Sequence, residues 1–104
     1  MPQVKHAVLL RIKSTTPKSK VDALFAELKD LCGQIPGLLD FSGGAYSSSE
    51  GLNKGFTHGF VMTFADVASR DGYLPHAKHE VVKEKILAEL DGGLDGVVAF
   101  DWLC

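Results

Sequence analysis

Two stretches of strict alternation constrain this chain more than anything else in it. Val4, His6, Val8, Leu10 and Ile12 fall on one side of an extended backbone, and Phe56, His58, Phe60, Met62 and Phe64 do the same further on. A period of two means strands, and an apolar row on one side means that each strand buries that side. Each row also holds a histidine, whose two ring nitrogens need partners when enclosed. A third histidine, His79, precedes Val82 by three residues and Ile86 by seven, the spacing of a helical stripe. Three inward histidines in so small a chain point to a pocket.

The other segments supply a frame. Alternation predicts a first strand over residues 3–13. Thr15 or Thr16 can cap the helix that follows, with Pro17 at its first position. Val21, Leu24, Phe25, Leu28, Leu31, Cys32 and Ile35 keep helical spacing, and Gly33 and Pro36-Gly37 end the run. Residues 38–46 read as a weaker strand with a bulge at Gly43-Gly44, and 47–55 as a polar loop. Residues 56–64 form the clearest strand. Asp66 can cap a short helix to Tyr73, Pro75 breaks it, and a longer helix covers 79–90. Gly92-Gly93 stop that helix. A last strand, 97–103, carries Val98, Phe100 and Trp102 on one face.

The order β-α-β-β-α-β is the ferredoxin-like pattern: an α+β fold, one four-stranded antiparallel sheet with helices on one face, in a single domain over 1–104. The first and third strands should be central neighbours, with His6 and His58 adjacent beneath the helices and His79 reaching down to them. The helix-free face is expected to carry Lys5, Ala7, Leu9, Arg11, Thr57, Gly59, Val61, Thr63, Val97, Ala99 and Leu103. That is too apolar for water, so a second copy is expected to cover it as a homodimer.

Composition excludes several classes. Of the 104 residues 45% are hydrophobic, and the formal net charge is −2. The lysines are scattered, so neither nucleic acid nor an anionic membrane is an expected partner. No apolar run would span a bilayer or serve as a signal segment. Cys32 lies on an apolar stripe and Cys104 is the last residue, which suggests no disulfide framework and a reducing, cytoplasmic setting.

Several segments, in this order, resemble the stress-responsive A/B barrel (Dabb) family. They are Val4-Lys5-His6-Ala7-Val8-Leu9-Leu10, Gln34-Ile35-Pro36-Gly37, Lys54-Gly55-Phe56-Thr57-His58-Gly59-Phe60, Tyr73-Leu74-Pro75-His76-Ala77-Lys78-His79 and Val98-Ala99-Phe100-Asp101. The resemblance implies a dimeric α+β barrel made of two ferredoxin-like units. One branch of the family comprises olivetolic acid cyclase-like polyketide cyclases, which perform an aldol condensation with no cofactor. In that branch a histidine and a tyrosine carry the chemistry, and by position these are His79 and Tyr73. His6 and His58 match pocket histidines of the same branch. Leu24 and Leu28 stand where the cyclase's first helix has aromatic residues, so the pocket shape should differ.

On chemistry, a near-neutral imidazole can take a proton from carbon alpha to a carbonyl, and a phenol can hydrogen-bond the resulting oxyanion. His79 and Tyr73 are the candidate catalytic pair. His6 and His58 are polar contacts, and Val8, Leu10, Leu24, Phe25, Leu28, Phe41, Phe60 and Leu90 are candidate walls for a small apolar ligand. The plainer alternative is a non-catalytic stress protein whose core histidines satisfy each other. An empty cavity above about 300 Å³ would favour a ligand site over that alternative. A three-histidine zinc centre is disfavoured because no carboxylate is evident on the inner faces to orient the ligands. A cofactor-free monooxygenase rests on fold analogy alone.

Overall fold

The computed structural model describes residues 2–104. The chain runs β1 (Val4–Leu10), α1 (Lys18–Asp30), β2 (Leu38–Ala45), β3 (His58–Phe64), α2 (Val67–Tyr73), α3 (Ala77–Ala88) and β4 (Val97–Leu103), with short 3₁₀ turns at Leu31–Gly33 and Gly93–Gly96. The four strands form one antiparallel sheet in the order β2-β3-β1-β4. This is the expected ferredoxin-like arrangement, with β1 and β3 at its centre.

The alternating rows do what their pattern requires. Val4, Leu10, Met62 and Phe64 are almost fully enclosed, and Leu24, Leu28 and Leu31 descend on them from α1 and the turn after it. Each such aliphatic or aromatic side chain contributes about 1.5–3 kcal/mol on burial. Val82 and Ile86 add the stripe of α3, and Tyr73 closes the layer from the end of α2.

Local boundaries depart from the sequence pattern in instructive ways. Neither Thr15 nor Thr16 caps α1. Pro17 is itself the residue before the first turn, its carbonyl accepting from the amides of Lys20 and Val21, while the Thr16 hydroxyl donates to Glu89 Oε1 at 2.9 Å. Asp66 caps α2 through the Ser69 amide at 2.8 Å. Helix α3 begins two residues before His79, because the ring of His76 accepts the Lys78 amide and serves as its cap. The bulge in β2 lies between Leu38 and Asp40 rather than at Gly43-Gly44. Gly43 answers a different need: a Cβ there would stand 2.6 Å from Phe60 Cβ and 2.9 Å from the Gly59 carbonyl.

The largest correction concerns β4. Residues opposed across an antiparallel pair share a face. Val97, Ala99, Asp101 and Leu103 oppose Leu10, Val8, His6 and Val4, so they lie on the helix side. Val97, Ala99 and Leu103 therefore do not belong to the helix-free face. That face holds Val98, Phe100 and Trp102 instead, beside Leu9, Ala7 and Lys5. Phe100 is 67% exposed there.

Candidate functional site

Register decides which histidines meet. His6 opposes Met62 on β3, whereas His58 opposes Leu10. Four residues of β1 separate the two positions, about 13 Å along the strands. The expectation that the His6 and His58 rings adjoin is therefore corrected: they share a face but sit at opposite ends of it. Among the described residues no group of three His, Cys, Asp or Glu side chains converges on a point that could hold a metal ion.

Three rings gather at the His6 end. Tyr73, the last residue of α2, packs at 4.1 Å centroid to centroid on His79, which stands in the first turn of α3. Tyr73 also meets His6 edge-on at 5.9 Å. The break at Pro75 makes this convergence. It separates two helices so that Tyr73 and His79, six residues apart, fold back onto each other. His79 Nδ1 lies 2.9 Å from the Leu74 carbonyl. A carbonyl only accepts, so Nδ1 carries the proton and a neutral ring keeps its free lone pair on Nε2. Burial pushes the His79 pKa below the ordinary imidazole value. The Leu74 carbonyl and Glu80 oppose that shift, and Lys83 and His6 add to it.

His6 is held by residues that sequence reasoning did not select. Its Nδ1 lies 2.7 Å from Asp101 Oδ1, and Asp101 Oδ2 accepts from Arg70 at 2.7 Å. Burial drives the Asp101 carboxyl upward, but the hydrogen bonds from Arg70 and His6 together outweigh it and hold the group below the usual carboxylate range. The ionised carboxylate can only accept, so His6 also presents Nε2 as its free nitrogen. Asp101 is the inner-face carboxylate that the sequence pattern hid. Its signal was present: an acid within an apolar strand, on the row of Val97, Ala99 and Leu103, demands a partner.

Between these groups is a cavity of about 180 Å³, lined by His6, Tyr73 and His79 and by apolar residues that include Val8, Leu10, Leu28 and Phe60. Tyr73 is 1% exposed, yet its hydroxyl has no hydrogen-bond partner among the described residues, where no fully enclosed side-chain polar atom lacks one. Tyr73 is among the residues that line the cavity. Burial raises the hydroxyl's pKa well above the ordinary value, so it remains a proton-bearing donor.

The remaining candidates lie elsewhere. Leu24 and Leu90 are plain core residues. Phe25 and Phe41 pack edge-on at 6.1 Å and both rest on Phe60, filling the space towards the His58 end. His58 stacks edge-on against Phe25, and its Nδ1 lies 2.8 Å from the hydroxyl of Thr57. Burial lowers its pKa too. His58 borders a shallower depression of about 570 Å³ beside the loop after β2. That depression is larger, but it gathers only one of the four polar candidates. The smaller cavity gathers three, although its volume falls below the 300 Å³ expected of a ligand site.

Comparison with known proteins completes the description. Residues 4–104 match the family described as the Stress responsive A/B Barrel Domain. A stress-response A/B barrel domain-containing protein of Arabidopsis thaliana, At5g22580, is 33% identical over 99 residues, covering 94% of this chain and 83% of that protein. Olivetolic acid cyclase of Cannabis sativa is 26% identical over 76 residues, covering 73% of this chain and 75% of the cyclase. A dimeric ferredoxin-like protein of unknown function from Jannaschia sp. CCS1 superimposes with a TM-score of 0.86 at 27% identity, covering 96% of this chain and 97% of the other.

Proposed function

This chain belongs to the stress-responsive A/B barrel domain family, and from that premise we propose that it performs cofactor-independent acid–base chemistry on a small, mostly apolar carbonyl compound. The observation that carries the reading is the meeting of a phenol hydroxyl and two imidazoles, each with Nδ1 occupied, on one apolar cavity. His79 Nε2 takes a proton from the carbon alpha to the carbonyl. The C–H electron pair becomes the enolate, and the Tyr73 hydroxyl donates a hydrogen bond to its oxygen. In an aldol step the enolate carbon attacks a second carbonyl, whose oxygen then receives the proton from His79. His6, braced by Asp101 and Arg70, offers its Nε2 lone pair to a hydroxyl of the substrate and so helps to orient it.

Size narrows the substrate. A cavity of about 150 Å³ is enough for one benzene ring, so 180 Å³ admits a ring-sized reacting unit and no folded long chain. The same small volume favours a second reading, in which the histidine bonds are structural and the protein does not turn over. Exchange of the α-protons of phenylacetone in D₂O, followed by NMR, separates the two. Catalysis predicts acceleration by the protein and a loss of about 100-fold or more in His79→Ala. No acceleration by the unaltered protein would leave only the second reading.

The same premise supports a homodimer through the helix-free face, where Leu9, Val98, Phe100 and Trp102 are each more than 40% exposed. Phe100→Glu places a charge in that contact and should yield a monomer by light scattering at micromolar concentration. A monomer without the substitution would refute the assembly.

A further inference from the structure

We infer that the ligand of the Tyr73–His79 cavity carries a carboxylate, held at the mouth by Lys83, a few bonds from the carbon that loses its proton. This rests on the acid–base reading of the same cavity and narrows its substrate to short acids bearing an apolar body.

Helical spacing makes the case. His79, Lys83, Ile86 and Leu87 line the cavity from α3 and stand on one stripe of that helix. Lys83 is four residues beyond His79, about 6 Å along the axis. An anionic head on its ammonium therefore lies close to the carbon facing the His79 ring. Histidines and the protonated Tyr73 aside, Lys83 is the one ionisable chain among the cavity-lining residues. Asp101 stands behind His6 and is already met by Arg70. Among the described residues the one ionic contact of Lys83 is an i,i+3 pair with Glu80 at 3.8 Å, too long for a hydrogen bond.

The cavity is also graded from dry to wet. Val8, Leu10, Leu28 and Phe60 at its walls are buried, while Leu74 and Leu94 are exposed, Leu94 by 72%. Lys83 is itself half-exposed. An apolar body enters and a charged head stops where water and the ammonium meet it. The Lys83 charge already reaches His79, since it is among the influences that lower that ring's pKa.

Phenylacetate and phenylacetamide, alike in shape and different in charge, test this by NMR titration at pH 7.5 and low salt. The expected result is tighter binding of phenylacetate, by about three- to fivefold as befits a half-exposed ion pair, with both compounds shifting the Tyr73 and His79 signals. Lys83→Met keeps the apolar stem and should erase the preference without weakening the amide. Lys83→Arg should retain it. If the unaltered protein shows no preference, or Lys83→Met keeps it, the role of Lys83 is overturned while the cavity reading stands. If neither compound moves the Tyr73 and His79 signals, both readings fall together.

Discussion

His6 and His58 occupy equivalent-looking places, on neighbouring strands and the same sheet face, yet their surroundings have opposite characters. Around His6 the helix layer leaves a gap and the partners are ionic: Asp101 and, behind it, Arg70. Around His58 the layer is filled by Phe25 and Phe41, and the partner is the hydroxyl of the preceding residue, Thr57. That hydroxyl is already committed. It accepts the Ile12 amide at 3.0 Å and lies 3.3 Å from the Leu10 carbonyl, fastening β1 to the start of β3. An inward histidine joins this cavity only where the layer above leaves room, and a hydrogen bond at Nδ1 then fixes the ring, from a carboxylate for His6 and from a backbone carbonyl for His79.

The contrast can be broken most forcefully at the carboxylate. Asp101→Asn removes the acceptor charge from both His6 and Arg70, and should cost about 1–3 kcal/mol of stability by chemical denaturation together with at least tenfold in α-proton exchange. His58→Gln should leave exchange within about threefold. Equal losses in the two variants would dissolve the distinction between the two ends.

Filling is tested at Gly43. Its added Cβ would collide with Phe60 and the Gly59 carbonyl, so Gly43→Ala should destabilise by about 1–3 kcal/mol, as overpacking does. The His6 end, which has room, should keep its exchange activity after correction for the folded fraction. A neutral outcome would show that the aromatic end is loosely packed.

The mildest probe is pH. His79 must be neutral to accept a proton and its pKa is lowered by burial, so exchange should rise with pH and level off with a midpoint below 6.5. His58→Gln should not move that midpoint. Stability follows the same sign for both rings. Their folded pKa values lie below the unfolded one, so the unfolded chain binds more protons as pH falls through 6.5, and Tm should drop there. Asp101 adds its own loss only at lower pH, below the usual carboxylate value near 3.9. A midpoint above 6.5 would exclude His79 as the base.

Alternation in Val4–Ile12 and Phe56–Phe64 was enough to place strands, core rows and inward histidines, and the order of elements was enough for the sheet. Tyr73 and His79 could be paired because Pro75 stands between them. What alternation does not encode is how far one strand slides against its neighbour, and that slide sets His6 and His58 at opposite ends of their shared face. Strand β4 was harder for a different reason. Both of its rows are apolar, so hydrophobicity cannot say which faces the helices, and Asp101 is legible only once His6 is known to oppose it. Arg70 follows from neither pattern, since its partner is 31 residues away.

Residues 100, 101 and 102 sit consecutively on an edge strand. Two of them present rings to the outside, and the middle one grips an imidazole within. A strand cannot tilt one row of side chains without swinging the other. In the proposed dimer, a partner settling against Phe100 and Trp102 would lean, one peptide bond away, on the carboxylate that aims His6, and subunit docking and ligand handling would share a single lever.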